Sequence, residues 1–425
     1  MSVGIQRLRD DADAVRKGAT NKGYDPEVIN DAIRLDSERR MTQSTLDTLR
    51  GQRKRVSEQY AVALREDNPS ASGLRNDSIV IGAQIEEAEH KLAASESLLH
   101  DLMLRIPNPA DSDVPVGAPT ETKTVREWGE PVAHDAGGWE RKPHWEIAEK
   151  LGMLDLAAGA KVTGTGFPMY RGAGAALQRA LINMMLDLQG REHGMTEIWP
   201  PALVNQDSAR GTGQIPDKEE QMYVVTRDDL YLVPTAEVPV TNIHRDEIID
   251  AARLPIRYVA YSPCFRREAG AAGKATRGIL RVHQFDKVEM VAFTRPEESA
   301  DELEWMTQRA EIALQRLGLA YRVRLLSTLD MGFTQAKTYD IEVWAPGVQE
   351  WLEVSSVSNF RDFQARRMNI RWRPEPGAKP EILHTLNGSS LGFPRTVAAL
   401  IENYQQQDGS LALPEPLASA VGQIG

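Results

Sequence analysis

The sequence predicts an α+β domain on an antiparallel sheet, preceded by an N-terminal arm of two antiparallel helices. A heptad pattern in the first third of the chain indicates the arm, and paired β-branched segments among amphipathic helices indicate the sheet domain. The 425 residues suffice for one large domain with an appendage. We expect an N-terminal domain over 1–106, a linker over 107–126 and the main domain over 127–425.

The arm is predicted from two stripes of apolar and small residues. Over 74–106 these residues recur in alternating steps of four and three, a period typical of a coiled-coil seam. A comparable stripe covers 35–63, and the segment 68–73 between the stripes contains a proline and a glycine that mark a turn. We therefore expect a helical hairpin over about 28–105, which Pro107 brings to an end.

The charge of the chain is unevenly distributed. With 50 Lys and Arg against 61 Asp and Glu, the formal net charge is -11, which argues against binding of nucleic acid by the whole surface. The outer arm, 51–76, nevertheless carries five basic and three acidic side chains. Such a segment is either an ordinary solvated helix face or a surface that binds a polyanion, and both interpretations remain open at this point.

Several classes of protein are excluded or disfavoured by composition. A single cysteine, Cys264, rules out an intrachain disulfide framework and is expected to be a small buried core residue. The histidines are scattered, so no zinc site is expected. The glycines of 164–166 and 172–174 do not complete a dinucleotide-binding motif. No apolar run could span a bilayer and no secretory signal is present, so we expect a cytoplasmic protein without a membrane partner.

The main domain is predicted to mix short strands with amphipathic helices. Strands occur in adjacent pairs as often as in βαβ alternation, which favours an antiparallel sheet. The β-branched segments predict strands over 161–163, 223–225, 231–233, 256–259 and 340–344. The helical periodicity predicts helices over 173–191, 296–317 and 395–405.

Charge and glycine are densest over 265–291, which we interpret as a strand, a loop and a strand. The cations of this hairpin are Arg266, Arg267, Lys274, Arg277 and Arg281. The glycines that interrupt it are Gly270, Gly273 and Gly278. Arginine forks bind phosphate oxygens, and the ring of Phe285 could stack on a base, so the hairpin suits a nucleoside triphosphate. Taken alone, it could equally be a surface hairpin with solvated charges.

Three further polar segments strengthen the functional interpretation. Thr235 and Glu237 lie in an apolar run, and 353–360 joins a carboxylate with hydroxyl groups. In 385–395, glycine and proline predict a turn before a helix that opens at Arg395. The helix dipole disfavours a cation at that end, so this arginine suggests an anionic ligand.

These motifs resemble those of the class II aminoacyl-tRNA synthetases. The F-R-x-E of 258–291 resembles motif 2, the G-x-x-R of 385–405 resembles motif 3, and 173–201 resembles motif 1, whose proline lies at a dimer interface. The words TAEVP, FRREAG, RVHQFDKVE, AKTYDIEVW and TLNGSS narrow the resemblance to seryl-tRNA synthetases of the bacterial type. The resemblance covers essentially the whole chain.

The resemblance implies a homodimeric enzyme whose N-terminal domain binds tRNA. It would activate L-serine with ATP to seryl-adenylate and transfer serine to the 3′-terminal adenosine of tRNA(Ser), and of tRNA(Sec) where that tRNA exists. A non-catalytic tRNA-binding paralogue is the alternative, but it would be free to lose the charged set that this sequence retains. A ligase for a carrier protein would lack the arm.

The resemblance also implies roles for individual residues. Arg266, Glu289 and Arg395 would be catalytic, and Arg266 would hold both the α-phosphate and the serine carboxylate. The serine site would comprise Thr235, Ala236, Glu237, Arg266, Glu289, Asn387 and Ser389. The ATP site would comprise Arg266, Arg267, Glu268, Arg281, Val282, Phe285, Glu353, Val354, Ser355, Ser356 and Arg395. Glu353 and Ser356 would coordinate Mg²⁺.

The chain departs from the family pattern at a few positions. The family often has Arg where Gly166 stands, a small residue at the position of Arg267 and Asp at that of Ala275. Val357 replaces a common Cys and Leu329 a Gly. Gly166, Val357 and Leu329 are not among the positions that contact a substrate in the resemblance. Arg267 and Ala275, by contrast, alter the motif 2 loop.

Overall fold

The computed structural model describes residues 3–269, 277–422 and 424. The chain divides into two compact units: the first runs to Ile106 without Asn21–Gly23, and the second comprises Asn21–Gly23 and the chain from Pro107 onward. Four positions discussed above, Gly270, Gly273, Lys274 and Ala275, lie outside the described residues.

The first unit is a helical hairpin with two short helices at its base. Its helices are α1 (Ile5–Asp10), α2 (Ala12–Asn21), α3 (Glu27–Arg65) and α4 (Ala71–Leu104). The 39 residues of α3 extend about 60 Å at the rise of an α-helix. The predicted arm is thereby confirmed. Its turn is shorter than expected, because α4 begins at Ala71 and takes Gly73 into its first turn.

The heptad stripes supply the packing of the hairpin. Leu46 of α3 and Ile85 and Ala88 of α4 form a small buried cluster within the arm. A larger cluster at the base joins α3 and α4 to α1 and α2, and includes Leu35 and Met103. The arm therefore has a narrow apolar seam, as its period of 3.5 residues requires.

The second unit contains the strands and the remaining helices. Its strands are β1 (Lys123–Trp128), β2 (Thr196–Ile198), β3 (Leu203–Asn205), β4 (Val224–Val225), β5 (Leu230–Leu232), β6 (Ile248–Asp250), β7 (Ile256–Phe265), β8 (Gln284–Thr294), β9 (Tyr321–Leu325), β10 (Lys337–Ala345), β11 (Glu350–Arg361), β12 (Arg371–Arg373), β13 (Glu381–Ile382) and β14 (His384–Gly392). Its helices are α5 (His144–Lys150), α6 (Leu156–Val162), α7 (Ala173–Asp187), α8 (Gln206–Thr212), α9 (Glu237–Thr241), α10 (Ser299–Arg316), α11 (Phe363–Met368), α12 (Phe393–Tyr404) and α13 (Leu417–Val421).

An eight-stranded sheet organises this unit. Its strands lie in the order β1-β9-β10-β11-β14-β8-β7-β2, and among the described residues of this sheet only the β2–β7 pair is parallel. Two small sheets, β13-β12-β6 and β3-β5-β4, lie outside it. The predicted antiparallel α+β fold is therefore confirmed. The main core is apolar and joins the sheet to α7, α10 and α12 through residues such as Leu181, Leu314 and Leu400.

Two local predictions are wrong. The segment 161–163 was expected to be a strand, but Lys161 and Val162 end α6, whose first turn is capped by the Asp155 carboxylate accepting from the Ala158 N–H at 2.8 Å. The segment 385–395 was expected to contain a turn before a helix that opens at Arg395, but β14 continues to Gly392 and α12 begins at Phe393.

The glycine that suggested that turn has a packing role instead. A Cβ at Gly388 would lie 2.7 Å from Val357 Cγ1 on the paired strand β11. Glycine therefore allows close approach of two strands in the middle of the sheet. The predicted core position of Cys264 is confirmed, since this residue is fully buried in β7.

Candidate active site

One cavity of about 590 Å³ in the second unit brings together most of the predicted site residues. They come from the ends of β7 and β8, from β11 and β14, and from the start of α12. The predicted residues that line it are Thr235, Glu237, Arg266, Glu268, Arg281, Val282, Phe285, Glu289, Glu353, Val354, Ser355, Ser356, Asn387, Ser389 and Arg395. A pocket of this size accommodates a nucleotide with a small second substrate.

Two predicted residues do not line the cavity. Ala236 is fully buried in a small apolar cluster beside it. Arg267 is exposed, and its guanidinium donates to the backbone oxygen of Glu220 at 3.2 Å. Of these two adjacent arginines, Arg266 lines the cavity and Arg267 does not.

Arg266 follows the end of β7 and faces an aromatic ring. Its guanidinium carbon lies 5.1 Å from the centroid of the Phe285 ring, and its Nε donates to the Pro234 oxygen at 3.3 Å. Cys264 and Phe285 are cross-strand partners in the β7–β8 ladder. Arg266 lies two residues beyond Cys264, so the hairpin brings its side chain close to the Phe285 ring. The site thus combines a fixed cation with a flat apolar surface, which suits a phosphate and a base.

The segments that follow β7 and precede β8 carry another charged pair. Arg281 Nη1 donates to Glu268 Oε2 at 2.5 Å, and both side chains are largely buried. Glu268 has a φ of 50°, an uncommon conformation for a residue other than glycine. Its backbone is therefore held in a strained conformation beside the cavity, as is common at functional sites.

The opposite wall holds Arg395 in the first turn of α12. Its Nη1 donates to the backbone oxygen of Glu353 at 3.0 Å and to Glu353 Oε2 at 3.1 Å. Its Nε donates to the Leu280 oxygen at 3.1 Å. The guanidinium is therefore held by partners on β11 and on the segment preceding β8.

Carboxylates collect at the buried end of the cavity. Glu289 Oε2 lies 2.5 Å from Lys287 Nζ and accepts from Ser389 Oγ at 3.3 Å. Ser389 and Glu289 are cross-strand partners of β14 and β8. Burial, with the neighbouring Glu289, raises the pKa of Glu237. The side-chain nitrogen of Asn387 is buried without a protein partner, and so provides a donor for a ligand.

The side chains around Glu353 and Ser356 determine whether a metal ion could bind there. The described residues contain no group of three or more His, Cys, Asp or Glu side chains that could hold a metal ion by themselves. Asp340 pairs with Ser356 across the sheet, and its Oδ1 is buried without a partner. Burial and the Glu353 charge raise the pKa of Asp340 well above its usual range. These are hard oxygen ligands, so the donor set fits Mg²⁺ that also binds substrate phosphates.

Several polar residues of the site were not predicted from the sequence. Lys287, Gln335 and Lys218 also line the cavity, and Asp340 lies behind it. The sequence held a signal for Lys287, which precedes Glu289 by two residues and so faces the same side of β8. Gln335 and Asp340 are brought to the site only by the sheet topology, which the sequence pattern did not specify.

A departure from the family pattern has a structural explanation. Gly166 has a φ of 84°, and its oxygen accepts from the His283 N–H at 2.8 Å. A Cβ at this position would lie 2.2 Å from His283 Cδ2. The His283 ring stacks on Phe167 with centroids 5.3 Å apart. Glycine at 166 therefore makes room for His283, which immediately precedes β8.

The fold and the cavity together define a class II aminoacyl-tRNA synthetase. Residues 223–404 match the family described as tRNA synthetase class II core domain (G, H, P, S and T). Residues 3–110 match the seryl-tRNA synthetase N-terminal domain. The chain belongs to the seryl-tRNA synthetase family, as its similarity to proteins over its full length also shows.

Curated relatives and solved structures agree on this assignment. The chain is 50% identical over 422 residues to a serine–tRNA ligase of Gemmatimonas aurantiaca, covering 99% of this chain and 98% of the relative. It is 49% identical over 421 residues to that of Geobacillus kaustophilus, with the same coverage of 99% and 98%. The crystal structure of seryl-tRNA synthetase from Pyrococcus horikoshii complexed with ATP superposes with a TM-score of 0.94 at 35% identity, covering 99% of both chains.

Proposed function

We propose that the cavity between Arg266 and Arg395 forms seryl-adenylate from L-serine and ATP, and then transfers serine to tRNA. The chain is an enzyme of the serine–tRNA ligase type, and this assignment of its site deepens that conclusion. The observation that carries the proposal is the convergence on one cavity of Arg266 and Glu289, from the hairpin of β7 and β8, with Arg395, from α12. The ATP complex of the Pyrococcus relative supports ATP as the nucleotide.

In the first step, a serine carboxylate oxygen attacks the α-phosphorus of ATP. The oxygen–phosphorus bond forms as the bond to the bridging oxygen breaks, and diphosphate leaves. The carboxylate is already ionised at neutral pH, so no general base is needed. Arg266 would neutralise charge at the α-phosphate, and Arg395 would bind the phosphates from the opposite wall. Catalysis is then positioning combined with electrostatic stabilisation.

The adenine would occupy the side of the cavity at Phe285. The ring of Phe285 would stack under the base, and Glu268 would accept from the adenine amino group. Arg281, which pairs with Glu268, would orient that carboxylate. The backbone of Val282 would lie beside the same base.

The buried end would select serine by its polar groups. Glu289 would accept from the ammonium and the hydroxyl, while Thr235, Ser389 and Asn387 would complete the site. Alanine lacks the hydroxyl and would leave these buried groups without partners, which disfavours it by about four orders of magnitude in favourable cases. Threonine must be excluded by the space available for its methyl group.

Mg²⁺ would be held by Glu353 and Ser356. When bound with ATP it supplies charge neutralisation to the phosphates and helps to orient them. Asp340, whose unpartnered oxygen lies behind Ser356, would orient that hydroxyl.

In the second step, a ribose hydroxyl of the terminal adenosine attacks the adenylate carbonyl, and AMP leaves. The basic outer arm, 51–76, would bind the tRNA, which is tRNA(Ser) and, where it exists, tRNA(Sec). A homodimer through the region of 173–201 is supported by Trp199, whose surface is 79% exposed. The reaction requires tRNA, so we propose a cytoplasmic location. No observation favours a non-catalytic paralogue.

The proposal is tested by replacing Arg266. Arg266→Ala should reduce serine-dependent ATP–pyrophosphate exchange by about two orders of magnitude or more, because it removes the cation at the reacting phosphate. The matched control is Arg316→Ala, which removes a surface arginine paired with Glu192 outside the cavity. Exchange by Arg266→Ala at the rate of this control would contradict the assignment.

A further inference from the structure

A buried amide lies directly behind the serine end of the cavity. Gln364 of α11 is fully buried, and its Nε2 donates to Glu237 Oε1 at 2.6 Å. Glu237 begins α9, is 7% exposed and lines the cavity. Gln364 itself does not line the cavity, so it contacts the site only through the carboxylate of Glu237.

The orientation of this amide is fixed by its other partners. Thr385 Oγ1 donates to Gln364 Oε1 at 2.7 Å, and Gln364 Nε2 also donates to the Thr212 oxygen at 3.3 Å. A flipped amide would place its oxygen against both the Glu237 carboxylate and the Thr212 carbonyl, which are acceptors. The amide nitrogen therefore faces Glu237, and the Thr385 hydroxyl maintains that orientation.

The charge state of Glu237 depends on this contact. Burial and the carboxylate of Glu289 raise the pKa of Glu237. The hydrogen bond from Gln364 and the ammonium groups of Lys287 and Lys218 lower it. Among these contributions to the pKa of Glu237, Gln364 is the uncharged hydrogen-bond donor, and the others are burial and charged groups.

We infer that Gln364, oriented by Thr385, is a positioning residue for serine binding: its amide N–H aims the Glu237 carboxylate at the substrate. The inference rests on the proposed function, which assigns Glu237 to the serine site. An ionised carboxylate attracts the serine ammonium, whereas a protonated one does not. Gln364 contributes a hydrogen bond to a charged group, the stronger kind of hydrogen bond.

The variant Gln364→Met keeps a side chain of similar length and removes all three hydrogen bonds of the Gln364 amide. Measured by ATP–pyrophosphate exchange, we expect the KM for serine to rise about tenfold or more, with the KM for ATP within about twofold of the parent value. A merely structural role would change both constants or lower the kcat alone. The midpoint of thermal unfolding establishes that the variant is folded.

The pH dependence gives a second readout. Without the Gln364 donor, the pKa of Glu237 rises further, so protonation of Glu237 moves to higher pH in Gln364→Met than in the parent. The ratio of the serine KM of Gln364→Met to that of the parent should therefore fall as the pH is raised. A ratio independent of pH would overturn the claim that Gln364 lowers the pKa of Glu237.

Thr385 provides the conservative comparison. Thr385→Val removes the hydroxyl and should raise the KM for serine by about threefold, whereas Thr385→Ser keeps the donor and should stay close to the parent value. Thr307→Val is the matched control, since Thr307 is also fully buried but its hydroxyl donates to Leu303 within its own helix. Equal values for Thr385→Val and Thr307→Val would overturn the role of Thr385.

Glu237→Gln separates failure of the inference from failure of the proposed function. If Glu237→Gln leaves the KM for serine unchanged, the assignment of Glu237 to the serine site fails and the inference fails with it. If Glu237→Gln raises that KM but Gln364→Met does not, the proposed function stands and the inference alone is overturned. A rise in both variants, with the KM for ATP unchanged, supports the inference.

Discussion

Several charged side chains of the cavity form ion pairs with one another. Arg281 pairs with Glu268, Arg395 with Glu353 and Lys287 with Glu289. Arg395 and Glu353 have separate roles in the proposed reaction, so substrate binding has to rearrange or extend the contact between them. The pairs hold the charges in place without leaving a buried charge uncompensated.

One buried histidine outside this cavity should make stability depend on pH. His384 begins β14, and its Nδ1 lies 2.8 Å from Ser299 Oγ. Burial lowers the pKa of His384 from 6.5 to about 4, although the carboxylates of Asp362 and Glu297 oppose the shift. The guanidinium groups of Arg361 and Arg366 act together with burial in lowering this pKa.

The sign follows from proton uptake. Between about pH 6.5 and 4, the unfolded chain binds a proton at this histidine and the folded chain does not, so stability falls as pH falls. The loss from this group is at most about 3 kcal/mol. Denaturant unfolding at pH 7 and pH 5 should therefore show a smaller decrease for His384→Asn than for the parent. The same decrease in both proteins would contradict the assignment, since other groups contribute equally to each.

Which side chains could be predicted from the sequence depended on how far apart their partners are. Arg266 and Glu289 were recognisable because they lie on one hairpin with a dense local charge pattern. Gln364 and Asp340 were not, because each gains its importance from a partner on another strand or helix. A glutamine in a helix gives no local sign that it will donate to a carboxylate 127 residues away.

Among the structural elements, the helical hairpin followed most directly from the sequence. Its seam repeats every 3.5 residues, and the buried positions Ile85, Ala88 and Leu99 fall on that repeat. By contrast, 161–163 has a β-branched pair, but Lys161 and Val162 form the end of a helix whose first turn is capped by Asp155, so helix capping overrides the local strand propensity. Short segments are where such conflicts arise.

The outer part of this hairpin should act on tRNA and not on adenylate formation. Arg53, Lys54 and Arg55 are exposed on α3. Reversing all three to Glu should leave serine-dependent exchange unchanged and raise the KM for tRNA by about tenfold or more, because phosphate contacts are lost.

The salt dependence of charging provides the measurement that isolates these contacts. Charging by the parent should weaken with ionic strength more than exchange does, and the triple reversal should flatten that dependence. Lys91→Glu is the control, because Lys91 is exposed on α4 outside 51–76. Normal charging by the triple variant would show that 51–76 is an ordinary solvated face.

Taken as a whole, the molecule resolves the conflict between an acidic composition and a nucleic-acid substrate. The formal charge of -11 is a sum over the chain, whereas tRNA binding depends on local charge. Basic residues concentrate on the outer arm and around the cavity, and an acidic excess elsewhere would keep tRNA away from the remaining surface. None of the described helices is long and apolar enough to cross a membrane.

The general architecture was predictable, but the strand order was not. Adjacent strand pairs indicated an antiparallel sheet, yet nothing local specified that β14 would lie between β11 and β8. This arrangement brings Asn387 and Ser389 beside Glu289, and so forms the end of the cavity that we propose for serine. The site therefore depends on contacts between segments about 100 residues apart, as for Ser389 and Glu289.

The most direct test of the account is ATP–pyrophosphate exchange by the full chain with each of the standard amino acids supplied in turn. We expect strong exchange with serine, exchange with alanine that is weaker by about four orders of magnitude, and little exchange with threonine. Loss of the serine signal in Arg266→Ala locates the activity in this cavity. Absence of serine-dependent exchange by the parent, or exchange that is faster with another amino acid, would contradict the account.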